Sequence, residues 1–353
     1  MSVEAPAAPR SPWQRLYAAG HRWRQRHWAA RAERLPAPVW SIGNLHWGGT
    51  GKTPLVLAVA AWLRDRGARV AVLSRGYGRR GGAPLLVSRG DGPLAGPAAT
   101  GDEPWLLADE LRGVAVAVAS RRADAGRLLL AALDPPPQLF LLDDGFSHLR
   151  LHRDLDLLAL PAADPFGGGR LPPAGRLREP LTSARRAGAL LLTGADASAD
   201  AARRVAEALR PWGFAGRGFA CPTLSGAPRP VSGPGRPPAG ASDDGEGGGR
   251  LLLVTGVASP GRVRASAEEQ GVALAGHVAF RDHCPYGERE LREIARAAAA
   301  ARAGGILTTA KDRVKLAGRT ALPLWELPVA ARPEPAFWEW LAGELEGALG
   351  RSG

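Results

Sequence analysis

The sequence predicts an α/β protein whose main domain is a three-layer α/β/α sandwich on a mostly parallel sheet. A second, smaller α/β domain and an N-terminal amphipathic helix complete it. Three observations carry this reading. Short apolar runs alternate with helical stretches, the pattern of units that close into parallel sheets covered on both faces. A glycine-rich run ending in Lys52-Thr53 lies between the first strand and its helix, which makes the main domain P-loop-containing. Between residues 226 and 249, 13 of 24 residues are Gly or Pro, and this stretch separates two alternating series.

Composition bounds the function. The chain has 353 residues, 45% of them hydrophobic, enough for one large or two ordinary domains with real cores. A peptide, a disulfide mini-protein and a disordered tail are excluded. The two cysteines, Cys221 and Cys284, have no metal-ligand spacing, so a reducing compartment fits. No run approaches the roughly 18 apolar residues of a spanning helix, and no secretory segment opens the chain. The expectation is a protein neither exported nor threaded through a bilayer. Net charge is +12, with 46 basic against 34 acidic residues, which favours an anionic partner. The basic side is nearly all arginine. Only Lys52, Lys311 and Lys315 are lysines.

Taken in order, residues 1–38 carry seven arginines against Glu4 and Glu33. Ser11-Pro12-Trp13-Gln14 reads as a helix start. At 100° per residue, Trp13, Leu16, Tyr17, Trp23 and Trp28 share one broad arc, with Arg15, Arg22 and Arg26 opposite. Arg24 and Arg31 interrupt the arc. Aromatics among arginines suit a membrane headgroup zone. A helix packed on its own domain and a nucleic-acid arm are the other readings. Pro36 and Pro38 end the segment.

Val39 to Ile42 reads as a strand. Gly43 to Thr53 follows as a phosphate loop, then an apolar helix over Leu55 to Leu63 that ends near Gly67. Glycines let backbone N–H groups close on phosphate oxygens, and the helix N-terminus adds positive potential. Lys52 is a point charge for β- and γ-phosphates, and Thr53 offers a hydroxyl to Mg²⁺. Gly48, Gly49, Thr50 and Gly51 form the cradle. The usual pattern has Gly where His46 stands, so Gly48, Gly49 and Gly51 must make the turn. A Mg²⁺ partner belongs at the end of another strand, and Leu139 to Leu142 ends in Asp143-Asp144-Gly145. Asp143 is the better candidate, and Asp144 shares or orients the site. Alone, such an ending is as readily a turn.

Between these lie a strand from Arg69 to Leu73 and Arg75, in the loop Ser74-Arg75-Gly76-Tyr77-Gly78. Thr100-Gly101-Asp102-Glu103-Pro104 opens a helix reaching Leu111, where acidic residues are also routine capping. A strand at Val114 to Ala119 and a helix at Arg121 to Leu133 follow. After the Asp-Asp-Gly run come Ser147-His148, a strand at Leu155 to Leu160, then Arg178-Glu179-Pro180. A strand at Ala187 to Thr193 and a helix at Ser198 to Arg210 close this series. The second series runs through strand Leu251 to Thr255, a helix after Pro260, and strand Val272 to Phe280. It continues with helix Glu288 to Arg302 and strands Ile306 to Thr309 and Leu322 to Leu327. A last amphipathic helix spans Pro335 to Leu349. Asp282-His283 and Lys311-Asp312 follow strands here, where open α/β sheets bind ligands. The boundaries expected are 1–38 for the surface helix and 39–220 for the core. A linker at 221–250 and a smaller domain at 251–353, closing over the cleft, complete the set.

Together the motifs resemble one family, the tetraacyldisaccharide 4′-kinases. Ser41-Ile42-Gly43-Asn44 with Gly48 to Pro54 is similar to its phosphate loop. Further similar motifs, in family order, are Ser74 to Gly78, Gly101 to Pro104, Leu142 to Phe146, Leu177 to Pro180, Asp282-His283 and Lys311-Asp312. The resemblance runs from about residue 10 to about residue 330, outside the Gly/Pro stretch. Ser147 stands where the family usually has Gln, and Cys284 where a second His is frequent. The resemblance implies transfer of the γ-phosphate of ATP, with Mg²⁺, to the 4′-hydroxyl of a tetraacyldisaccharide 1-phosphate, giving lipid IVA. It implies a peripheral helix on the cytoplasmic face of the inner membrane. It implies Asp102 as the base at the acceptor hydroxyl and His283 as its partner. Arg75, His148, Arg178 and Glu179 fall to the substrate, and the first three suit either phosphate or head group. Two other classes compete. A P-loop ATPase or GTPase switch with a protein partner would not need Asp102 and His283. A nucleic-acid-binding protein would need a recognition module that the chain lacks. The expected partners are the glycolipid and the membrane surface, with no nucleic acid and no obligate protein partner.

Overall fold

The computed structural model describes residues 12–48, 51–173, 175–232 and 249–350. Ser11, Gly49, Thr50 and residues 233–248 lie outside them. The chain forms two units: residues up to Leu224 together with those from Ala331 onward, and Ser225–Ala330.

The first unit begins with α1 (Pro12–Ala29), β1 (Val39–Gly43), α2 (Lys52–Asp65), β2 (Val70–Ser74) and β3 (Leu85–Ser88). It continues with α3 (Pro97–Thr100), α4 (Asp102–Glu110), β4 (Ala115–Val118), α5 (Arg122–Ala132) and β5 (Leu139–Asp143). Then come β6 (Leu155–Pro161), β7 (Ala189–Thr193), α6 (Ala199–Leu209) and β8 (Arg217–Cys221). Its eight strands run β3-β4-β2-β5-β1-β6-β7-β8, parallel except for β3. Residues of β5 alternate between two cores, as strand geometry requires. Leu139 and Leu141 join the core under α2 and α4. Phe140 and Leu142 join the core under α5, and α6 covers β6 and β7 on a third cluster. These are the three predicted layers. The chain leaves β1 toward β2 and later crosses back over it from β5 to β6. Strand order therefore reverses at β1, the place where open parallel sheets bind ligands.

The second unit contains β9 (Thr223–Ser225, crossing the boundary), β10 (Arg229–Ser232), β11 (Leu251–Thr255), α7 (Pro260–Glu269) and β12 (Leu274–Ala279). After these come α8 (Glu288–Ala300), β13 (Gly305–Thr309), α9 (Ala310–Leu316), β14 (Leu324–Leu327) and β15 (Val329–Ala331). Its main sheet runs β10-β14-β13-β11-β12, parallel except for β10.

Two boundaries differ from those expected. The last helix, α10 (Pro335–Gly350), belongs to the first unit, not the smaller domain. Phe337, Leu341, Leu345 and Ala348 form one stripe, and Phe337 meets Phe219 of β8 edge-on, 5.5 Å between centroids. Sequence order does not reveal which sheet such a stripe covers. The expected linker also starts too early: Arg229–Ser232 is an edge strand. Pro230 is tolerated there because an edge leaves one side of the strand without ladder donors, and Val231 packs on the core. Both cysteines are free and buried. Among the described residues, no helix is long and apolar enough to cross a membrane.

Candidate active site

The register of β1 with β5 builds the site. Ile42 pairs with Asp143, so the phosphate loop and the Asp-Asp-Gly turn leave neighbouring strands side by side. Gly43 makes this approach possible: a Cβ there would lie 2.5 Å from Phe146 Cβ. The start of the loop is held by pairing rather than by a glycine turn. His46 bridges Leu177, and the Trp47 N–H donates to Arg176 O at 2.8 Å. Gly48 (φ 101°) and Gly51 (φ 73°) supply the left-handed residues. This is why His46 replaces the usual glycine. Its ring is buried, and burial pushes it down to about 4, with Lys52 and Arg176 adding to the fall. Gly49 and Thr50 lie outside the described residues.

Lys52 opens α2 and Thr53 follows it. Lys52 Nζ is 3.3 Å from Asp144 Oδ1. Arg178 grips the same carboxylate with two donors, at 2.6 and 2.9 Å. Burial raises Asp144, but Arg178 and Lys52 outweigh it and hold the carboxyl well below its ordinary range. Asp143 differs. It is buried, and its Oδ2 accepts from Ser74 Oγ at 2.9 Å. Burial, with Glu103 and Asp144 nearby, pushes it up to about 7. A buried carboxylate next to two others is short of positive charge. Carboxylate and hydroxyl oxygens are the donors Mg²⁺ prefers, so Asp143 and Thr53 fit that ion. Asp144 already faces two cations.

Asp102 and Glu103 are the first residues of α4. Gly101 (φ 90°) lets the chain enter this helix against the loop after β2: a Cβ there would lie 3.1 Å from Tyr77 O. Arg75 is exposed on that loop. Arg122, at the start of α5, is buried, and burial together with Arg75 lowers it to about 10. The His148 ring is pushed down to about 3 by burial and by Arg122, Arg153, Arg150 and Arg75. Arg153 supports it, donating to His148 O at 2.9 Å and to Asp156 Oδ1 at 2.8 Å. One end of the first sheet thus gathers Lys52, Thr53, Asp143, Asp144, Asp102, Arg75, His148 and Arg178.

Glu179 is a correction. Its carboxylate is 1% exposed and meets Arg186 Nη2 at 2.8 Å, Ser147 Oγ, and His21 Nε2 at 3.4 Å. It anchors α1 and has no face left for a substrate. The residues that sequence reasoning missed are Glu103 and Arg122. Glu103 lies inside the Gly101 to Pro104 motif but received no role beyond capping. Arg122 carried a signal, an arginine opening a helix at the carboxyl end of a parallel strand. His283 stands in the second unit, on the loop after β12, with φ 59°.

On α1, Gln14, Ala18 and His21 form the buried stripe. Tyr17 Oη donates to Arg178 O at 3.0 Å, and Gln25 Nε2 to Ser183 Oγ at 2.9 Å. The aromatic arc points away: Trp13 is 71% and Trp23 67% exposed. Tyr17 and Trp28 are the exceptions, Tyr17 through its bond to Arg178 and Trp28 half-buried beneath Arg150 at 4.6 Å.

Residues 8–346 match the model of the tetraacyldisaccharide-1-P 4′-kinase family. The tetraacyldisaccharide 4′-kinase of Geobacter metallireducens is 42% identical over 290 residues, covering 81% of this chain and 80% of that one. That of Chromobacterium violaceum is 37% identical over 344 residues, covering 95% and 92%. Among solved structures, LpxK from Aquifex aeolicus in complex with ATP superposes with a TM-score of 0.71 at 30% identity, over 97% of both chains.

Proposed function

The chain belongs to the tetraacyldisaccharide-1-P 4′-kinase family, and from that membership we propose how its residues divide the transfer. The reaction moves the γ-phosphate of ATP to the 4′-hydroxyl of a tetraacyldisaccharide 1-phosphate, forming lipid IVA in lipid A biosynthesis. The observation that carries it is the pairing of Ile42 with Asp143, which sets phosphate loop and carboxylates side by side. Lys52 and the glycine cradle bind the β- and γ-phosphates. Asp143 and Thr53 hold Mg²⁺, with Asp144 orienting Lys52. When bound, the ion neutralises phosphate charge as the bridging bond loosens. Asp102 accepts the 4′-hydroxyl proton as the new P–O bond forms and the β–γ bond breaks, releasing ADP. A sugar hydroxyl is a weak nucleophile, so its proton needs such an acceptor. His283 is assigned to the transfer as the second proton-handling residue. Arg75, Arg122 and His148 receive the acceptor's anionic head group, a neutral imidazole among cations suiting an anion. Labelled phosphate appearing in a lipid extract, from ATP and the tetraacyldisaccharide 1-phosphate, tests the reading. Hydrolysis indifferent to glycolipid would favour a nucleotide switch.

The Asp143 carboxyl sets a pH dependence. Its folded value, about 7, lies above the ordinary 3.8. The folded state therefore holds the extra proton, and this contribution to stability is lost as pH rises through 7. Mg²⁺ needs the ionised form. Added Mg²⁺ is expected to raise the melting temperature more at pH 8 than at pH 6, and Asp143→Asn to remove the difference. Equal increments at both pH values would reject Asp143 as ligand.

The helix α1 is the proposed contact with the cytoplasmic face of the inner membrane. Its polar stripe is spent on the domain, which leaves aromatics and arginines outward, as an interfacial helix requires. Replacing Trp13 and Trp23 by alanine is expected to weaken sedimentation with anionic vesicles about tenfold. Deleting residues 1–35 is expected to do more. Unchanged partitioning of both variants would remove the anchor.

A further inference from the structure

The second unit contains a buried carboxylate that the transfer leaves unassigned. Asp312 is fully enclosed at the third position of α9. A carboxylate there normally turns back to its own helix start. Part of that arrangement is present: the Asp312 N–H donates to Thr309 Oγ1 at 3.2 Å, and that hydroxyl donates to Asp312 Oδ2 at 2.8 Å. The same oxygen also reaches across the sheet and accepts the Gly256 N–H at 2.8 Å, just past β11. Oδ1 and the buried hydroxyl of Tyr286 both lie beside Gly256, neither with a hydrogen-bond partner among the described residues. A Cβ on that glycine would lie 2.7 Å from Tyr286 Oη and 2.9 Å from Asp312 Oδ1. Lys315 Nζ stands 3.9 Å from Oδ1 and 5.5 Å from the Tyr286 ring centroid. One carboxylate thus ties together the carboxyl ends of β13, β11 and β12, three neighbouring strands.

The loop after β12 is the one that carries His283. Two of its residues other than glycine are left-handed, His283 (φ 59°) and Tyr286 (φ 51°). Such residues are strained and persist where their surroundings fix them. The fixing is visible. Gly256 O accepts the His283 N–H at 3.2 Å, while Gly256 N–H is held by Asp312. A single glycine joins the two residues.

We propose that Asp312 is a positioning residue for the transfer: through Gly256 and Tyr286 it holds the strained loop that presents His283. The proposal rests on the role given to His283 above. Its test is a double-mutant cycle in the full-length enzyme, with kcat, KM for ATP and melting temperature measured for each variant. His283→Ala is expected to lower kcat about a hundredfold. Asp312→Ala is expected to lower it at least about tenfold with KM for ATP nearly constant, and the double variant to be no slower than His283→Ala. Tyr286→Phe loses only a hydroxyl, and its smaller loss should vanish in the His283→Ala background. It decides the matter where Asp312→Ala does not fold. Losses that multiply would overturn the proposal, as would normal rates for Asp312→Ala and Tyr286→Phe beside a slow His283→Ala; in both cases His283 keeps its role. A full-rate His283→Ala would overturn the role of His283 and the proposal with it.

Discussion

Asp102→Ala is expected to lower kcat for lipid phosphorylation by about 10²- to 10⁴-fold, with KM for ATP little changed. A carboxylate at this position has two possible roles with opposite signatures. Asp102 is the first residue of α4, where acidic side chains are ordinarily worth about 0.5–2 kcal/mol as caps or dipole partners. The N-cap itself is Gly101, which has no side chain to cap with. A cap would show its loss in the melting temperature and not in turnover. A proton acceptor would show the reverse, because only the step in which the 4′-hydroxyl loses its proton uses it. Asp102→Asn separates them further, keeping the shape and polarity while removing the basicity. The measurement is single-turnover transfer at saturating ATP beside a thermal melt. Near-normal transfer by either variant, with a lowered melting temperature, would return Asp102 to a structural role.

The chain gave away most of its sheet and much of its site, for a physical reason. Buried parallel strands are continuous apolar runs, and β1, β5, β6 and β7 are readable as such. The residues after them sit at the carboxyl edge, so Lys52 and Asp143 could be placed there from order alone, while Arg178 entered only through the family resemblance. What was hidden depends on partners distant in sequence. Glu179 looks like any surface glutamate in an Arg-Glu-Pro motif until His21, Arg186 and Ser147 are found around it. The face of α1 was ambiguous because its aromatic arc is broader than its packing stripe, and the small, polar residues Gln14, Ala18 and His21 make the contact. The strands β3 and β10 escaped because each is a four-residue antiparallel edge, too short to show alternation, and β10 carries Pro230, which an edge allows. Helix α10 was visible as a helix and placed on the wrong sheet, since a stripe of Phe and Leu carries no address.

Glu179 also gives α1 a structural reach beyond its surface. The residue next to it, Arg178, holds Asp144, and its backbone oxygen accepts from Tyr17 of α1. Two consecutive residues therefore connect the outward-facing aromatic helix to the carboxylate beside Lys52. The connection is short. A phosphate loop mounted this way sits beside the same segment that seats α1, which suits an acceptor whose acyl chains stay in a bilayer while its sugar is phosphorylated.

Lys52→Ala is expected to reduce transfer at least about 10³-fold and to weaken ATP binding as well. Removing one preorganised donor from a developing phosphate charge typically costs about 10²–10³ in rate. Here the loss is larger because the lysine faces two demands. It is the cation of the phosphate loop, at the start of α2, and it also stands 3.3 Å from Asp144. Without it Arg178 alone offsets Asp144, and Asp143, already pushed up to about 7, loses a neighbour that lowers it. Carboxylates and triphosphate would then meet with less positive charge between them. Lys52→Arg should recover little, because a planar, forked guanidinium does not replace a compact ammonium inside a glycine cradle. Calorimetric ATP binding and single-turnover transfer, with and without Mg²⁺, measure the two losses separately. Transfer within tenfold of normal in Lys52→Ala would place the γ-phosphate outside this loop.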